Sequence, residues 1–554
     1  MDSDSDGLTD AFEVLSSKTS PATNHTYSAE LTDLEWWLRS NILVNDPEQD
    51  CGNEQNSQFE TTVVVLGSYV VVAWVDSNQG VYALGQNDDL ANYTPRMVGY
   101  AVSHDGGVTF EDRSVPPLAR EGNPTDDDGD AGDPVLAADR ASGVVYLVGT
   151  SPRNEGHKGI PHWKSGEGGV TFGSPTIVRD DILQSDKPWL AVDDWPGTGQ
   201  HDVYLMCTGR TNGSAAGLWL TVSTDGVGGS WTNPPLAARM TAGTEPTAVN
   251  SPIILVASNH TAYVFWFEST GPFPYYTNWL KMRQVLNRGA VLGEVQIICR
   301  LESTNNSNGN LELKSSNAAA DDDTFRVFPF PVPAINPVKT NHLYMAYADR
   351  GTNSGDKADV FFVCSTNGGT NWTNPVRVNT DSTMNDQWMP VLCVKPDGTQ
   401  LFMAWYDRRN DTNNSLMELY GCFGTIATNG LVNFGEEFVI STTGFPPVFA
   451  GTLEDNKQDG RYDPVYPPGG VNLHWHYAEW PEPLPPPLEH VYDTFPAYIG
   501  HVGEYNGVWA ADQYLVSDVD RLPAGVRWDA VCEKSRRHPI CSAQLAAIAI
   551  PSDL

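Results

Sequence analysis

The stretch Ser103-His104-Asp105-Gly106-Gly107-Val108-Thr109-Phe110 recurs with changes at residues 165–172, 223–231 and 365–372. Each copy begins with Ser, carries an acidic or amide side chain two residues later, and continues with glycines and an aromatic residue. The acidic or amide group can accept backbone N–H bonds, glycine adopts positive φ without strain, and the aromatic ring can close over a core. The repeat therefore predicts a tight turn between the outer strands of similar β units.

A second repeat lies upstream of these turns and consists of two short apolar strands joined by small or polar residues. Such runs of Val, Ile, Leu, Tyr and Trp are typical of buried strands. Seven strand pairs can be counted, at residues 59–76, 133–150, 186–210, 245–268, 325–350, 387–409 and 505–521. They predict an all-β protein, a seven-bladed β-propeller with six blades as the alternative. The early strand at 41–44 is expected to join the last blade, because closing the ring removes exposed sheet edges.

The turn repeat resembles the Asp box, or BNR repeat, of sialidase-like β-propellers. Further segments resemble those of secreted bacterial members of this family: Gly132 to Val135, Ser185 to Asp193, Asn385 to Trp388, Ala404 to Asp411 and Gly503 to Gly507. The resemblance covers about residues 41–521 and implies a carbohydrate-active propeller. The Phe/Tyr-Arg-Ile/Leu-Pro motif of true sialidases does not occur, so the resemblance favours another glycoside hydrolase or a polysaccharide lyase over an enzyme for sialic acid.

The charge balance of the chain excludes several classes of partner. The 554 residues include 69 acidic and 33 basic side chains, which gives a formal net charge of −36. Such a charge opposes nonspecific binding to nucleic acid and to anionic membranes. The sequence also lacks an apolar run of about 18 residues that would span a bilayer. We therefore expect a secreted or cell-surface protein that is monomeric and has no nucleic-acid partner.

Composition divides the chain into three parts. Residues 1–40 combine an acidic motif with helical periodicity, residues 41–530 hold the propeller, and residues 531–554 form a C-terminal tail. Within the propeller, the segment 441–498 is rich in Pro and aromatic residues and is expected to be an insertion.

The cysteines predict buried thiols rather than a disulfide scaffold. Four of them lie in predicted strands, where a free buried thiol is the expected state: Cys207, Cys364, Cys393 and Cys422. Cys532 and Cys541 are close together in the tail and are the expected disulfide.

A calcium-binding motif begins at the second residue. The acidic residues of this motif and its glycine fall at relative positions one, three, five, six, nine and twelve: Asp2, Asp4, Asp6, Gly7, Asp10 and Glu13. An EF-hand loop uses this spacing to place oxygen ligands around calcium and to turn sharply at glycine, and Leu8 offers a backbone carbonyl. The motif also resembles thrombospondin type 3 and dockerin-like repeats, which implies structural calcium. The alternative is a metal-free acidic terminus.

Blade geometry predicts the position of a functional site. The inner strand of each blade starts on the face where the second strand ends, so side chains at both places converge on one funnel, whereas the repeat turns lie on the opposite face. Strand starts contribute Glu60, Asp133, Asp186, Lys187, Arg326, Asp386, Glu504 and Tyr505. We predict catalytic roles for Asp133, Asp186, Asp386, Glu504 and Tyr505.

Arginine recurs at or just after the ends of the second strands. The residues concerned are Arg153, Arg210, Arg350 and Arg408. The planar fork of arginine suits carboxylate or sulfate, so these residues are predicted to bind an anionic glycan. The alternative is that each pairs with an Asp of a neighbouring blade and ties the blades together. Trp279 and Trp475, in aromatic loops of the same face, are predicted to stack on sugar rings.

Two hypotheses from different classes follow from these residues. The first is an enzyme acting on an anionic glycan, either a hydrolase with two carboxylates or with Tyr505 and a carboxylate partner, or a lyase. A lyase could use Tyr505 or His501 as base and Arg408 to neutralise a uronate. The second is a noncatalytic propeller that binds glycan or protein at the cell surface, which pairing of all funnel carboxylates with arginines would favour.

Calcium is expected to stabilise the N-terminal segment without taking part in chemistry. Chelation should lower the thermal stability of residues 1–40 and leave any glycan-cleaving activity unchanged, because the motif precedes the propeller. Calorimetry with and without chelator, together with an activity assay, measures both effects. Loss of activity on deletion of residues 1–30 would contradict a purely structural role.

Overall fold

The computed structural model describes residues 42–44, 58–76, 98–113, 116–117, 132–150, 158–211, 217–232, 248–303, 308–314, 324–351, 355–441, 508–510, 514–520 and 545–551, apart from 108, 227, 273–274, 304–307 and 415. All regular secondary structure in these ranges is β. Within them, no helix is long and apolar enough to cross a membrane. The calcium motif, residues 442–498 of the expected insertion and the cysteines of the tail lie outside the described residues.

The described residues form thirty strands. In chain order they are β1 (Ile42–Leu43), β2 (Gln58–Leu66), β3 (Tyr69–Asp76), β4 (Val98–Ser103), β5 (Glu111–Asp112), β6 (Gly132–Asp139), β7 (Val144–Thr150), β8 (Lys158–Ser165), β9 (Thr176–Asp193), β10 (Asp202–Thr211), β11 (Gly217–Ser223), β12 (Trp231–Thr232), β13 (Ala248–Val256), β14 (Ala262–Thr270), β15 (Thr277–Leu286), β16 (Val291–Leu292), β17 (Gln296–Arg300), β18 (Leu313–Lys314), β19 (Thr324–Phe325), β20 (Val332–Ile335), β21 (Leu343–Asp349), β22 (Asp359–Ser365), β23 (Val376–Arg377), β24 (Gln387–Val394), β25 (Gln400–Asp407), β26 (Glu418–Ile426), β27 (Val432–Val439), β28 (Val508–Ala510), β29 (Tyr514–Asp520) and β30 (Leu545–Pro551).

Among the described residues, the strands form six sheets of four or more strands and one two-stranded ribbon, β18–β19. Four sheets are four-stranded, with the orders β2-β3-β4-β5, β20-β21-β22-β23, β24-β25-β26-β27 and β28-β29-β30-β1. A fifth has the order β13-β14-β15-β16, with β17 also paired to β15. The sixth runs from β6 to β12 and contains seven strands. All of the pairs are antiparallel, and the sheets surround a central axis as the blades of a propeller.

The prediction of seven separate blades is wrong, and six blades describe the sheets of the described residues. The predicted strand pairs 133–150 and 186–210 lie in one sheet because β9 is 18 residues long. Its first part pairs with β8, for example Ile177 with Pro161. Its second part pairs with β10, for example Val192 with Val203. The first strands of the seven predicted pairs contact one another in the ring order β2, β6, β9, β13, β20, β24, β28 and back to β2.

The first strand closes the ring. β1 pairs antiparallel with β30, with Ile42 opposite Ala547 and Leu43 opposite Ala546. The expectation that residues 41–44 join the last blade is therefore confirmed for the described residues 42–43. Strands from the two ends of the chain thus share one sheet, so that opening this blade would require breaking backbone hydrogen bonds.

Among strands β2 to β27, apolar side chains of neighbouring blades pack against each other. Tyr204 and Met206 of β10 share a core cluster with Val264 and Trp266 of β14. Burial on two faces explains why the strands read as continuous apolar runs in the sequence. The five described cysteines, Cys207, Cys299, Cys364, Cys393 and Cys422, are free and buried in these interfaces. The prediction of buried thiols is thereby confirmed for the four cysteines that it named.

All four repeat segments form turns between the third and fourth strands of a repeat unit. In the first, the N–H of Gly107 donates to Ser103 Oγ at 2.8 Å, and the N–H of Thr109 donates to Asp105 Oδ1 at 2.9 Å. The fourth repeats the pattern, with the N–H of Gly369 donating to Ser365 Oγ at 2.9 Å. The last aromatic of each segment packs on a core cluster: Phe110, Phe172, Trp231 and Trp372. The turns are therefore structural, as their sequence chemistry predicts.

Buried aspartates tie neighbouring repeat units together on the face that carries these turns, which we call the lower face. Asp139, at the end of β6, lies 2.5 Å from Nδ1 of His201 in the loop after β9. Asp193, at the end of β9, lies 2.8 Å from Nδ1 of His260 in the loop after β13. Both carboxylates are fully buried. These contacts link three consecutive units of the ring.

Replacing Gly169 with Ala tests the fit of one repeat turn against the next blade. Gly169 has a φ of +89°, and a Cβ there would clash with the side chain of Val71 on β3. The left-handed conformation costs an L-residue about 1–2 kcal/mol and overpacking adds roughly 1–3 kcal/mol, so the free energy of unfolding should fall by about 2–5 kcal/mol. Gly143→Ala is the control, because its φ is +78° but no atom lies within 4 Å of the added Cβ. Equal losses for both variants in chemical unfolding would contradict this packing.

Candidate functional site

The inner strands enclose a cavity of about 380 Å³ on the ring axis. Its wall is formed by β6, β9, β13, β20 and β24 and by the start of β2. Most of the lining side chains are apolar, and Trp189, Phe328 and Phe330 contribute aromatic rings. Of the lining residues, Arg140 and Asp194 alone are charged, and they pair with each other. A charged group inside the cavity would therefore lose its hydration without gaining an ion-pair partner. We therefore expect polar ligands to bind at the mouths of the cavity rather than inside it.

A cluster of three charged side chains lies on the opposite, upper face, where the inner strands start. Glu60 of β2, Asp133 of β6 and Lys187 of β9 come from three neighbouring strands of the ring. Lys187 Nζ lies 3.1 Å from Glu60 Oε1 and 2.5 Å from Asp133 Oδ1. The side chains of all three are nine-tenths or more buried. We call these residues the upper cluster. These three charged residues, which come from different strands, therefore lie within ion-pairing distance of each other.

Each residue of the upper cluster has a left-handed backbone conformation. The φ angles are +55° for Glu60, +49° for Asp133 and +47° for Lys187. Each lies at a break in the pairing register, where an extra residue bulges from the inner strand. Ser251 and Met389 occupy the same position in β13 and β24, with φ of +49° and +52°, and both line the cavity. Such backbone costs on the order of 1–3 kcal/mol per residue and persists only where the surrounding fold imposes it.

The bulge has a visible sequence signal. Proline follows the left-handed residue in four of the five strands, at Pro134, Pro188, Pro252 and Pro390. Proline lacks an N–H, so it suits a position where the ladder is interrupted. Glu60 and Lys187 were not among the predicted catalytic residues, although both were expected at the funnel. Both could have been identified from the sequence, because each is a charged residue at the start of a predicted strand pair.

Asp186, another predicted catalytic residue, lies next to the upper cluster. Its Oδ1 accepts the N–H of Lys187 at 3.1 Å, and its backbone carbonyl accepts the hydroxyl of Thr208 at 2.8 Å. The first bond orients the backbone from which the Lys187 side chain extends. Asp186 thus supports the local geometry of the bulge.

Asp386 and Arg408, predicted to be catalytic and substrate-binding, pair with each other. Arg408 Nη1 lies 3.1 Å from Asp386 Oδ2, and both side chains are at most 1% exposed. Asn414 also donates to Asp386 Oδ2, at 2.8 Å, and the guanidinium lies 4.9 Å from the ring centre of Trp388. Burial raises the pKa of Asp386, and Arg408 opposes the shift. The pair ties the start of β24 to the loop after β25, and contact of Arg408 with a glycan would require it to open.

The remaining predicted residues are distributed around the upper face or lie outside the described part. Arg350 is half-buried after β21, and its N–H donates to Asp349 Oδ1 at 2.9 Å. Trp279 is half-buried in β15 and pairs with Glu268 of β14. Arg210 lies in β10, opposite Leu183. The other predictions fall outside the described residues: Arg153, Glu504, Tyr505, Trp475 and the calcium ligands Asp2, Asp4, Asp6, Leu8, Asp10 and Glu13.

The loop between β21 and β22 holds a buried carboxylate that sequence reasoning missed. Asp356 is 5% exposed, and neither of its carboxylate oxygens has a hydrogen-bond partner among the described residues. Burial raises its pKa to about 7, helped by the charges of Asp359 and Asp386. Its short side chain in a loop gives no sequence signal of burial. Elsewhere in the described part, no group of three His, Cys, Asp or Glu side chains is arranged to hold a metal ion.

The comparisons with known proteins give structural neighbours that act on carbohydrates. One is a glycoside hydrolase family 43 arabinoxylan arabinofuranohydrolase from Bacillus subtilis, with 10% identity over 74% of this chain and 72% of that one, and a TM-score of 0.34. The second is an ulvan lyase of polysaccharide lyase family 25, with 11% identity, 65% and 78% coverage, and a TM-score of 0.38. The third is the family 93 α-L-arabinofuranosidase of Fusarium graminearum, with 16% identity, 66% and 92% coverage, and a TM-score of 0.38.

No family model and no curated protein matches the sequence. The resemblance to sialidase-like proteins therefore has no support from a family match. At these identities and TM-scores, the structural neighbours carry no argument about the sugar or the reaction of this chain.

The stability of the protein should depend on the protonation of Asp356. Its pKa is about 7 in the folded protein against 3.8 for the unconstrained group, so folding favours the protonated form. The resulting stabilisation is fully present below about pH 4 and is lost as the pH rises through about 7. We expect Asp356→Asn to remove this loss, worth about 4 kcal/mol between those limits.

Chemical unfolding between pH 4 and 8 measures this dependence. Asp397→Asn is the control, because the Thr399 hydroxyl lowers the pKa of Asp397 and its contribution has the opposite sign. A parent and an Asp356→Asn variant with the same pH slope would contradict a protonated Asp356.

Proposed function

We propose that the protein is a carbohydrate-active enzyme that hydrolyses glycosidic bonds at the upper mouth of the central cavity. Glu60 and Asp133 are the proposed acid–base pair. The observation that carries the proposal is their convergence on Lys187, from neighbouring inner strands and in left-handed backbone. Strained residues that meet at a cavity mouth are typical of sites where position matters more than stability.

The chemistry of the upper cluster fits hydrolysis. Cleavage of a glycosidic bond needs one carboxyl group to protonate the leaving oxygen and a second to act as base or nucleophile. Lys187 contacts both carboxylates and so holds them next to each other. A hydroxyl of the substrate could replace the ammonium as the hydrogen-bond partner of either carboxylate. The aromatic rings of Trp189 and Phe328 at the cavity wall offer apolar surface to a sugar ring.

The upper cluster supplies what hydrolysis needs, two carboxylates from neighbouring strands. Elimination would need a base and a group that neutralises a uronate. The candidate bases, His501 and Tyr505, lie outside the described residues, and the candidate neutralising residue, Arg408, is buried against Asp386. Hydrolysis is therefore the reaction proposed, and elimination is the outcome that an unsaturated product would reveal.

The substrate and setting are also part of the proposal. An anionic glycan is the proposed substrate class, supported by Arg350 on the upper face. Secretion or display at the cell surface is supported by the net charge of −36, and structural calcium by the spacing of residues 2–13. Specificity for sialic acid is not proposed, because the arginine motif of true sialidases does not occur in the sequence.

A noncatalytic glycan-binding propeller is the second candidate. It is favoured by two pairs that neutralise carboxylates of the upper face, Asp386 with Arg408 and Asp407 with Arg409. Each pair links the end of a strand to a loop, so that its carboxylate has a structural role rather than a catalytic one. The upper cluster distinguishes the candidates, because only the enzyme requires its carboxylates for turnover.

Glu60→Gln and Asp133→Asn are expected to lower turnover of the cleaved glycan by about 10²–10⁴-fold, the usual contribution of a general acid or base. A panel of neutral and acidic polysaccharides, followed by reducing-end release and by absorbance of unsaturated products, identifies the reaction. Glu268→Gln is the matched control, because Glu268 is also buried and paired with a lysine, Lys281, but lies at the end of β14. Turnover that survives both substitutions, or an unsaturated product, would contradict the proposed hydrolysis.

A further inference from the structure

Most arginines of the described part are already paired with acids. Seven side chains contact Asp or Glu: Arg113, Arg140, Arg179, Arg288, Arg377, Arg408 and Arg409. Arg283 donates to the carbonyl of Gly293, and Arg300 is exposed to solvent. Arg326 and Arg350 differ from all of these. Each is half-buried, with an Nε that is shielded from solvent and has no acceptor among the described residues.

Arg326 lies next to a residue that lines the central cavity. It follows β19, and its guanidinium carbon is 5.8 Å from the ring centre of Phe328. Phe328 lines the cavity and stacks on Phe330, which also lines it, with 5.0 Å between the ring centres. The aromatic pair therefore holds the arginine stem beside the cavity wall, on the β20 side of the ring.

Among the described residues, Arg326 is an exception to this pairing. The sequence has 69 acidic and 33 basic side chains, yet the Nε of Arg326 is shielded from solvent and has no acceptor among the described residues. A shielded N–H without an acceptor costs about 1–3 kcal/mol. A ligand with two acceptor oxygens would remove that cost and satisfy the planar fork of the guanidinium.

We propose that Arg326 is the residue that recognises the anionic group of the substrate, a carboxylate or a sulfate. The inference deepens the proposed function and rests on the same cavity mouth. Lys187 does not fill this role, because its ammonium is held by Glu60 and Asp133. The β20 wall is separated from β2 and β6 by the cavity. The anionic group therefore sits across the mouth from the carboxylates that would cleave the glycan.

The probes for the test are inorganic sulfate and D-glucuronate, with D-glucose as the neutral comparison. Arg326→Met removes the charge but keeps an apolar stem on Phe328, and Arg326→Lys keeps the charge but loses the fork. Arg300→Met is the control, because Arg300 is exposed. Affinities are measured by calorimetric titration at low ionic strength, and thermal unfolding of each variant checks the fold.

We expect the parent to bind both anions in preference to glucose. Arg326→Met should weaken their binding roughly 10- to 100-fold, as loss of a charged hydrogen bond predicts, with Arg326→Lys in between and Arg300→Met unchanged. Equal anion affinity in the parent and in Arg326→Met, or equal binding of glucose and glucuronate by the parent, would overturn the proposal.

Glu60→Gln separates this inference from the proposed reaction. The variant should bind glucuronate at least as tightly as the parent, because a negative charge is removed from the mouth. If it also keeps full turnover while Arg326→Met loses anion binding, the acid–base assignment fails and the anion site stands. If turnover is lost in Glu60→Gln but anion binding survives in Arg326→Met, the reaction stands and the anion site fails.

Discussion

Apolar packing between neighbouring blades, seen among strands β2 to β27, decides where charge can lie in this part of the protein. Clusters such as Tyr204, Met206, Val264 and Trp266 fill the interfaces between blades. An unpaired charge in such an interface would lose its hydration without compensation. Charged side chains are therefore concentrated at the two ends of the strands. On the lower face they tie units together through pairs such as Asp139 with His201, and on the upper face they surround the cavity mouth.

The bulge at the start of the inner strand brings charged residues of neighbouring strands together at one site. The register break turns one residue out of the ladder and gives it positive φ, as at Glu60, Asp133 and Lys187. Because the strands converge at the axis, residues 54 and 127 positions apart in sequence meet within hydrogen-bonding distance. The strain at each bulge is small against the stability of the surrounding sheet, so that the fold can hold three such residues together.

Two kinds of charged contact occur on the upper face, and they differ in the number of carboxylates that contact the cation. Asp386 and Arg408 form a salt bridge that is buried from all sides and is reinforced by Asn414. Such a pair fixes the loop after β25, and removal of one partner would leave a buried charge. Lys187 instead divides its ammonium between the carboxylates of Glu60 and Asp133, which come from two neighbouring strands. Loss of one of these contacts would leave the ammonium paired with the other carboxylate.

The sequence by itself determined the local structures: the repeat turns, the apolar strand pairs, the buried thiols and the early strand that closes the ring. These follow from residue chemistry within a few positions, such as the Ser103 and Asp105 side chains that bond the turn backbone. It also placed Asp133 and Lys187 at corresponding positions of their strand pairs. Tertiary structure alone decided that β9 continues through two repeat units and so gives six sheets. The sequence of one long strand looks the same as that of two shorter strands in succession. It also decided which charges pair, as for Arg408 with Asp386, since a strand position fixes the face of a side chain but not its neighbour in space.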